Sequence, residues 1–250
     1  MNFEQIHRKI NEAKRLDFGL IIDEVIRLYK TIWLKGFLIV VVIVIFSAAL
    51  AFLFSLFGLG IGTDTTFWFK YKGVDFYNIY ATQILYSFPQ TILISVVSLG
   101  MIAGLYRMCK IEEHDKEKND AFFYFFSGEY ISKLFMLAII YAFIALLSQL
   151  LLLPYIYTFV PLAYFAMVFS SHPELTEMEI VKLSFYIGTK KWFLSFALIL
   201  VTFILGMLGV IACGIGLFFT ISIMYLPVYF VYKHVVGFDG DFEINLIGKE

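Results

Sequence analysis

Charge is scarce in this chain. Only 16% of its 250 residues are Asp, Glu, Lys or Arg, against about 25% in ordinary globular domains. The two signs nearly cancel, leaving a net charge of −1, so the basic patch that a nucleic-acid partner requires is missing. Cysteine occurs twice. Cys109 and Cys213 fall at opposite ends of apolar stretches, roughly a bilayer thickness apart, which excludes an internal disulfide and leaves them as packing residues. The first 30 residues also lack the apolar run that a cleaved signal peptide places after a short basic start. What fills the chain instead is apolar surface. Hydrophobic residues make up 61%, Phe alone occurs 29 times, and the mean hydropathy is +0.85. A soluble domain of this size cannot keep so much apolar surface from water, so most of it must face lipid.

The apolar runs give six spans. The first covers about Phe37–Leu59 and the second about Ala81–Tyr106. Residues 131–170 carry no ionised group except Lys133 and are too long for one crossing. Pro154 divides them into Leu134–Leu153 and Tyr155–Ser170. A similar stretch, Phe193–Tyr232, breaks at Cys213-Gly214-Ile215-Gly216 into spans five and six. Basic residues mark the cytoplasmic loops. Seven precede span one (Arg8, Lys9, Lys14, Arg15, Arg27, Lys30, Lys35), and five lie between spans two and three (Arg107, Lys110, Lys116, Lys118, Lys133). Lys182, Lys190 and Lys191 separate spans four and five, and Lys233 and Lys249 follow span six. Only Lys70 and Lys72 fall on the other side. Both termini are therefore expected in the cytoplasm.

A weak threefold repeat runs through the chain, with an amphipathic segment introducing each pair of spans. In the first copy Phe18, Ile22, Val25, Tyr29 and Ile32 recur at helical spacing behind Asp17 as N-cap. In the third, Thr176 and Glu179 make a capping box, Leu175 can staple onto Ile180, and the helix runs to Lys190-Lys191-Trp192. The middle copy, begun by Asn119 or Asp120 and followed by Phe122, Phe123, Phe125, Phe126, Tyr130 and Ile131, is less regular. Trp33 and Trp192 sit at equivalent points as interfacial anchors. The fold class read from this pattern is all-α: a polytopic integral membrane protein with six transmembrane helices as three hairpins, each preceded by a cytoplasmic interfacial amphipathic helix. The parts are a cytoplasmic N-terminal amphipathic segment (1–36), a six-helix membrane domain (37–236) and an acidic tail (237–250). The run from Ser184 through Lys190, Lys191 and Trp192, two spans joined by Gly214 and Gly216, then Pro227 and Tyr232, resembles the membrane domain fused to bacterial glycerophosphodiester phosphodiesterases. Several uncharacterised polytopic families share the pattern. The resemblance covers about Ala166–Gly237 and implies a membrane module without the catalytic barrel of those enzymes. Similar Bacteroidetes chains often carry a carotenoid-oxygenase name.

The residues do not support an oxygenase. Its iron would need convergent histidines, and His7, His114, His172 and His234 share no helix face. No catalytic residue, metal site or cofactor is expected. None of the 20 acidic residues falls within the spans, which weighs against an ion-coupled pump. One polar feature stands out in span two. Gln83, Ser87, Thr91, Ser95 and Ser98 lie on one helix face, with Gln90 beside them and Pro89 as a kink. Gln149 and Thr202 are placed to meet this stripe, either as hydrogen-bonded glue between helices or as a polar groove for a ligand. Gly100 and Gly104 form a GxxxG close-packing patch. The loop containing Phe67, Trp68, Phe69 and Tyr71 reads as an interfacial belt or an outer docking surface.

Two functions of different class remain open, with a membrane-embedded enzyme ranking third. The first is a non-enzymatic scaffold or accessory subunit in the inner membrane, binding a membrane or envelope protein. The alternative is a carrier or binder of lipids or small apolar molecules through the polar stripe. Membrane lipids are the common partner of both. Oligomeric state leaves no trace in the sequence.

Overall fold

The computed structural model describes residues 1–57, 72–114, 122–151, 153–211 and 215–238. Those residues are almost all helical, with no strand among them. The helices are α1 (Phe3–Glu12), α2 (Phe18–Leu56), α3 (Gly73–Tyr86), α4 (Phe88–His114), α5 (Ile131–Leu150), α6 (Leu153–Ser171), α7 (Glu177–Lys190), α8 (Trp192–Met207), α9 (Ile215–Thr220) and α10 (Leu226–Val235). Five helical stretches are long and apolar enough to cross a membrane: Phe18–Leu56, Phe88–Glu113, Ile131–Leu150, Trp192–Val210 and Gly216–Val235.

Helix α6 is not among the five. It lies at the centre of the bundle. Val160, Leu162 and every residue from Tyr164 to Phe169 are buried. A helix apolar on every side is one that the bundle encloses.

The interfacial helices differ from the sequence reading. Asp17 caps α2 by accepting from the Leu20 N–H at 2.9 Å, but the first amphipathic segment is not a separate element. It runs unbroken into the apolar half of a 39-residue helix, about 58 Å long at 1.5 Å per residue. Nothing between Ile32 and Phe37 stops it, because Gly36 is tolerated where α2 meets the Ser222 side chain. Among the described residues the middle segment forms no amphipathic helix and holds only the 3₁₀ turn Tyr124–Phe126; its start at Asn119 or Asp120 lies outside them. The third, α7, begins where expected, with the Glu179 carboxylate accepting from the Thr176 N–H and hydroxyl at 2.9 and 2.8 Å. It does not lie flat beneath a bundle. It doubles back along α6, bringing Gly188 onto Pro161, Phe185 onto Phe165 and Thr189 onto the Tyr157 hydroxyl at 2.5 Å. Its apolar face (Ile180, Leu183, Ile187) is buried against protein.

Helix α1 has no counterpart in the sequence reading. Asn2 and Gln5 cap it reciprocally. Ile6 and Ile10 are completely buried, and His7 stacks on Tyr186 at 4.0 Å. Asn11 accepts from Tyr186 and Lys190, while Lys9 donates to the Val236 carbonyl at 2.7 Å. The helix straps α7 to the chain end that follows α10.

Other charged contacts converge on the same segments. Lys35 pairs with Glu112 at 3.4 Å, His234 with Glu24 at 2.6 Å, and Lys191 donates to the Lys14 carbonyl at 3.0 Å. Lys233 and the Tyr229 hydroxyl both donate to Glu113, at 2.9 and 2.7 Å. Lys133, near the start of α5, donates to the Pro173 and Leu175 carbonyls. At the other end of α5, Tyr77 and Tyr80 of α3 donate to the Leu150 and Gln149 carbonyls.

Candidate functional site

The span-two stripe does not survive as one face. Pro89 has no N–H to extend a helix through its first turn, and the chain breaks just before it. Ser87 caps α3 and α4 starts at Phe88. Gln83 therefore belongs to α3, and Ser87 sits at the joint with its hydroxyl on the Ile84 carbonyl at 3.0 Å. Gln90 is buried, its Oε1 without a hydrogen-bond partner, and it does not line the cavity that the other three share. Thr91, Ser95 and Ser98 stay together on α4.

Those three face a cavity. It has a volume of about 290 Å³ and lies between α4, α5, α6, α8 and the segment entering α10, near the lower end of small-molecule sites. On α4 its lining runs from Thr91 to Tyr106, about 22 Å along the axis, so it is a slot rather than a sphere. Gln149 closes it from α5 as expected from the sequence. Thr202 does not reach it; that hydroxyl bonds back to the Leu198 carbonyl at 2.9 Å and is buried elsewhere.

Sequence reasoning missed the tyrosines. Tyr106, Tyr141, Tyr155 and Tyr225 also line the slot. Tyr106 donates to the Tyr225 carbonyl at 3.0 Å, across from α4 to the α10 side. A signal was present: Tyr141, Ala145 and Gln149 recur every four residues, the spacing of one helix face. The Thr91 hydroxyl bonds within its own helix, to the Ser87 carbonyl at 3.0 Å. The side chains of Ser95, Ser98, Tyr141, Tyr155 and Gln149 make no hydrogen bond to described protein atoms.

The remaining sequence candidates are placed as follows. A Cβ on Gly100 would meet the Phe126 ring at 2.6 Å and Leu134 at 2.9 Å, and one on Gly104 the Phe122 carbonyl at 2.9 Å. The GxxxG patch thus receives the aromatic 122–126 turn and α5. Trp192 donates to the Tyr157 carbonyl at 3.0 Å and stacks on Phe196. Trp33 is exposed and tilts onto Phe219. Phe67, Trp68, Phe69 and Tyr71, like Cys213 and the tail beyond Phe238, lie outside the described residues. Cys109 is fully buried. His7, His172 and His234 are held by separate partners, Tyr186, Glu174 and Glu24. Among the described residues no three His, Cys, Asp or Glu side chains converge.

Compared with known protein families, curated proteins and solved structures, the chain matches none. The case for function rests on the slot.

Proposed function

We propose that this protein is a multi-pass component of a bacterial cytoplasmic membrane that binds or carries a small apolar molecule in the slot between α4, α5 and α6. What supports this is one coincidence: Thr91, Ser95, Ser98 and Gln149, singled out as a polar face in an apolar chain, line the same apolar cavity. Pockets of this kind, apolar with a few placed polar groups, are where helical bundles hold ligands. The test is extraction of the gently purified protein followed by mass spectrometry. The native chain should retain one apolar species near one per protein. Ala145→Phe, which fills the slot from α5, should lose it while keeping its elution profile. An equal yield from both proteins would sink the proposal.

Six crossings, with α6 as the sixth, and both termini in the cytoplasm complete the proposal. In its favour, the contacts of Lys9, Lys35, Lys133, Lys190, Lys191 and Lys233 link the basic segments to one another. Lys72 instead precedes α3, which packs at the far end of α5 from Lys133. Single cysteines at 72 and 133 should react from opposite faces of sealed vesicles.

A scaffold role is the second reading. The observation favouring it is the far end of α2, where Ile45, Phe52, Leu56 and Phe57 are exposed. Recovery of a stoichiometric membrane-protein partner, lost in Phe52→Ser with Leu56→Ser, would favour it over the slot.

A further inference from the structure

Resting on the slot as a binding site, its chemistry narrows the class of ligand. We infer that it takes an uncharged amphiphile, an alkyl or prenyl chain ending in a hydroxyl or carbonyl, and discriminates against anionic lipids and fatty carboxylates.

Three features of the lining carry this. None of its nineteen residues is Asp, Glu, Lys, Arg or His. A carboxylate or phosphate placed there would be desolvated without a counter-charge, at an effective cost of several kcal/mol. Second, the slot offers neutral hydrogen-bonding groups that the protein itself leaves unused: the Ser95 and Ser98 hydroxyls, the Tyr141 hydroxyl and the Gln149 amide. Ser95 is buried and the others are part-buried; polar groups set in an apolar slot call for partners, and a ligand oxygen supplies one. A pure hydrocarbon would leave them unmet, so the site is also tuned against molecules with no polar head. Third, the shape is long and narrow, and apart from its polar groups the lining is Ile, Leu, Val, Ala, Phe and Met. That suits a chain with one polar end better than a compact polar solute.

The charges lie outside the slot. Glu112 and Glu113 of α4 are engaged by Lys35, Lys233 and Tyr229, beyond Tyr106, the last slot residue on that helix. An anionic head therefore finds no free cation along the lining.

The test uses three probes of one chain length on the full chain in nanodiscs: 1-dodecanol, dodecanoate at pH 9, and dodecane. Saturation binding is measured against empty nanodiscs. Dodecanol should bind at least tenfold more tightly than either of the others. Ser95→Ala combined with Tyr141→Phe should bring dodecanol to within threefold of dodecane and leave dodecane binding unchanged. Dodecanoate or dodecane binding as tightly as dodecanol overturns the neutral-head inference while leaving the slot as a site. If none of the three binds above empty discs, the binding function falls with it. Should the double variant fold poorly, Gln149→Leu alone must still narrow the dodecanol-to-dodecane ratio by threefold or more, and an unchanged ratio overturns the inference.

Discussion

Gly188→Ala tests the close approach of α7 to α6. The Cβ it adds would stand 2.5 Å from Pro161 Cα, 2.9 Å from Pro161 N and 3.1 Å from Pro161 Cβ. Carbon atoms rest at about 3.5–4.0 Å, so the helices must part by about 1 Å. A gap of that size forfeits up to about half of each dispersion contact along the seam, and overpacking of this kind costs roughly 1–3 kcal/mol. The same substitution in a free helix gains roughly 0.8–1 kcal/mol of helix propensity. Because the clash is with Pro161 backbone atoms that cannot turn aside, the cost falls at about 2–3 kcal/mol and the net is a loss of about 1–2 kcal/mol, which lowers the melting temperature by about 2–8 °C in a chain of this length. Thermal unfolding in mild detergent, followed by size-exclusion fluorescence, reads this directly. Gly128→Ala is the control, since nothing lies within 4 Å of its added Cβ; its effect should stay within about 0.5 kcal/mol. The sign decides the matter. If α7 lay apart from α6 on the membrane surface, Gly188→Ala would stabilise the protein, and an unchanged or raised melting temperature would refute the packing.

Three further outcomes follow from contacts outside the slot. Tyr164→Phe, which removes the buried 2.6 Å bond to Ser195 between α6 and α8, should cost about 0.6–1 kcal/mol, and adding Ser195→Ala should cost less than it does in the native chain. Glu113→Gln removes the charge that accepts from Lys233 and Tyr229 and should cost about 1.5–3 kcal/mol; Lys233→Met must then do less damage in that background than alone. The Glu179 carboxyl is held below its ordinary range by the Thr176 N–H and hydroxyl, so its stabilisation is full above the unfolded value of about 4.3 and is lost as pH falls through the lower folded value. Between pH 6 and pH 3 the native melting temperature should therefore drop further than that of Glu179→Gln.

Much of this structure is legible from local chemistry. Asp17, Thr176 and Glu179 mark helix starts through side-chain bonds to nearby N–H groups, and the apolar runs carry the long helices. Pro89 marks a break because it lacks a donor, although the consequence is a division of the stripe and not a bend within it. What local chemistry does not determine is which surface covers an apolar face. The Ile180-Leu183-Ile187 stripe of α7 fits lipid or another helix equally well by periodicity; the structure gives it α6 and Pro161. Helix α1 shows only Ile6 and Ile10 as a burial signal, too little to distinguish a docked helix from a solvated end. Tyrosine carries the same ambiguity at larger scale, since its ring suits a headgroup belt and its hydroxyl suits a cavity wall.

The division of hydrogen bonds bears on whether the polar face of α4 is glue or groove. Glue is recognisable in this bundle by bonds that cross between helices. Tyr164 reaches Ser195 from α6 to α8, Ser170 donates to the Ala103 carbonyl from α6 to α4 at 2.8 Å, and Trp192 donates to Tyr157. Among the slot residues Tyr106 does this, reaching the Tyr225 carbonyl, but the stripe residues do not: Thr91 bonds back to the Ser87 carbonyl, and Ser95, Ser98 and Gln149 face the slot with their side-chain bonds unspent. In lipid an interhelical bond contributes only about 0.6 kcal/mol, so neutral polar groups that form none add no stability there. They weaken the apolar packing around them unless something fills the slot. The contrast between spent and unspent hydroxyls on facing helices therefore favours a ligand over glue. If the slot holds an exchangeable ligand, the stripe's lack of charge follows, because a charge in the same position would need a fixed partner.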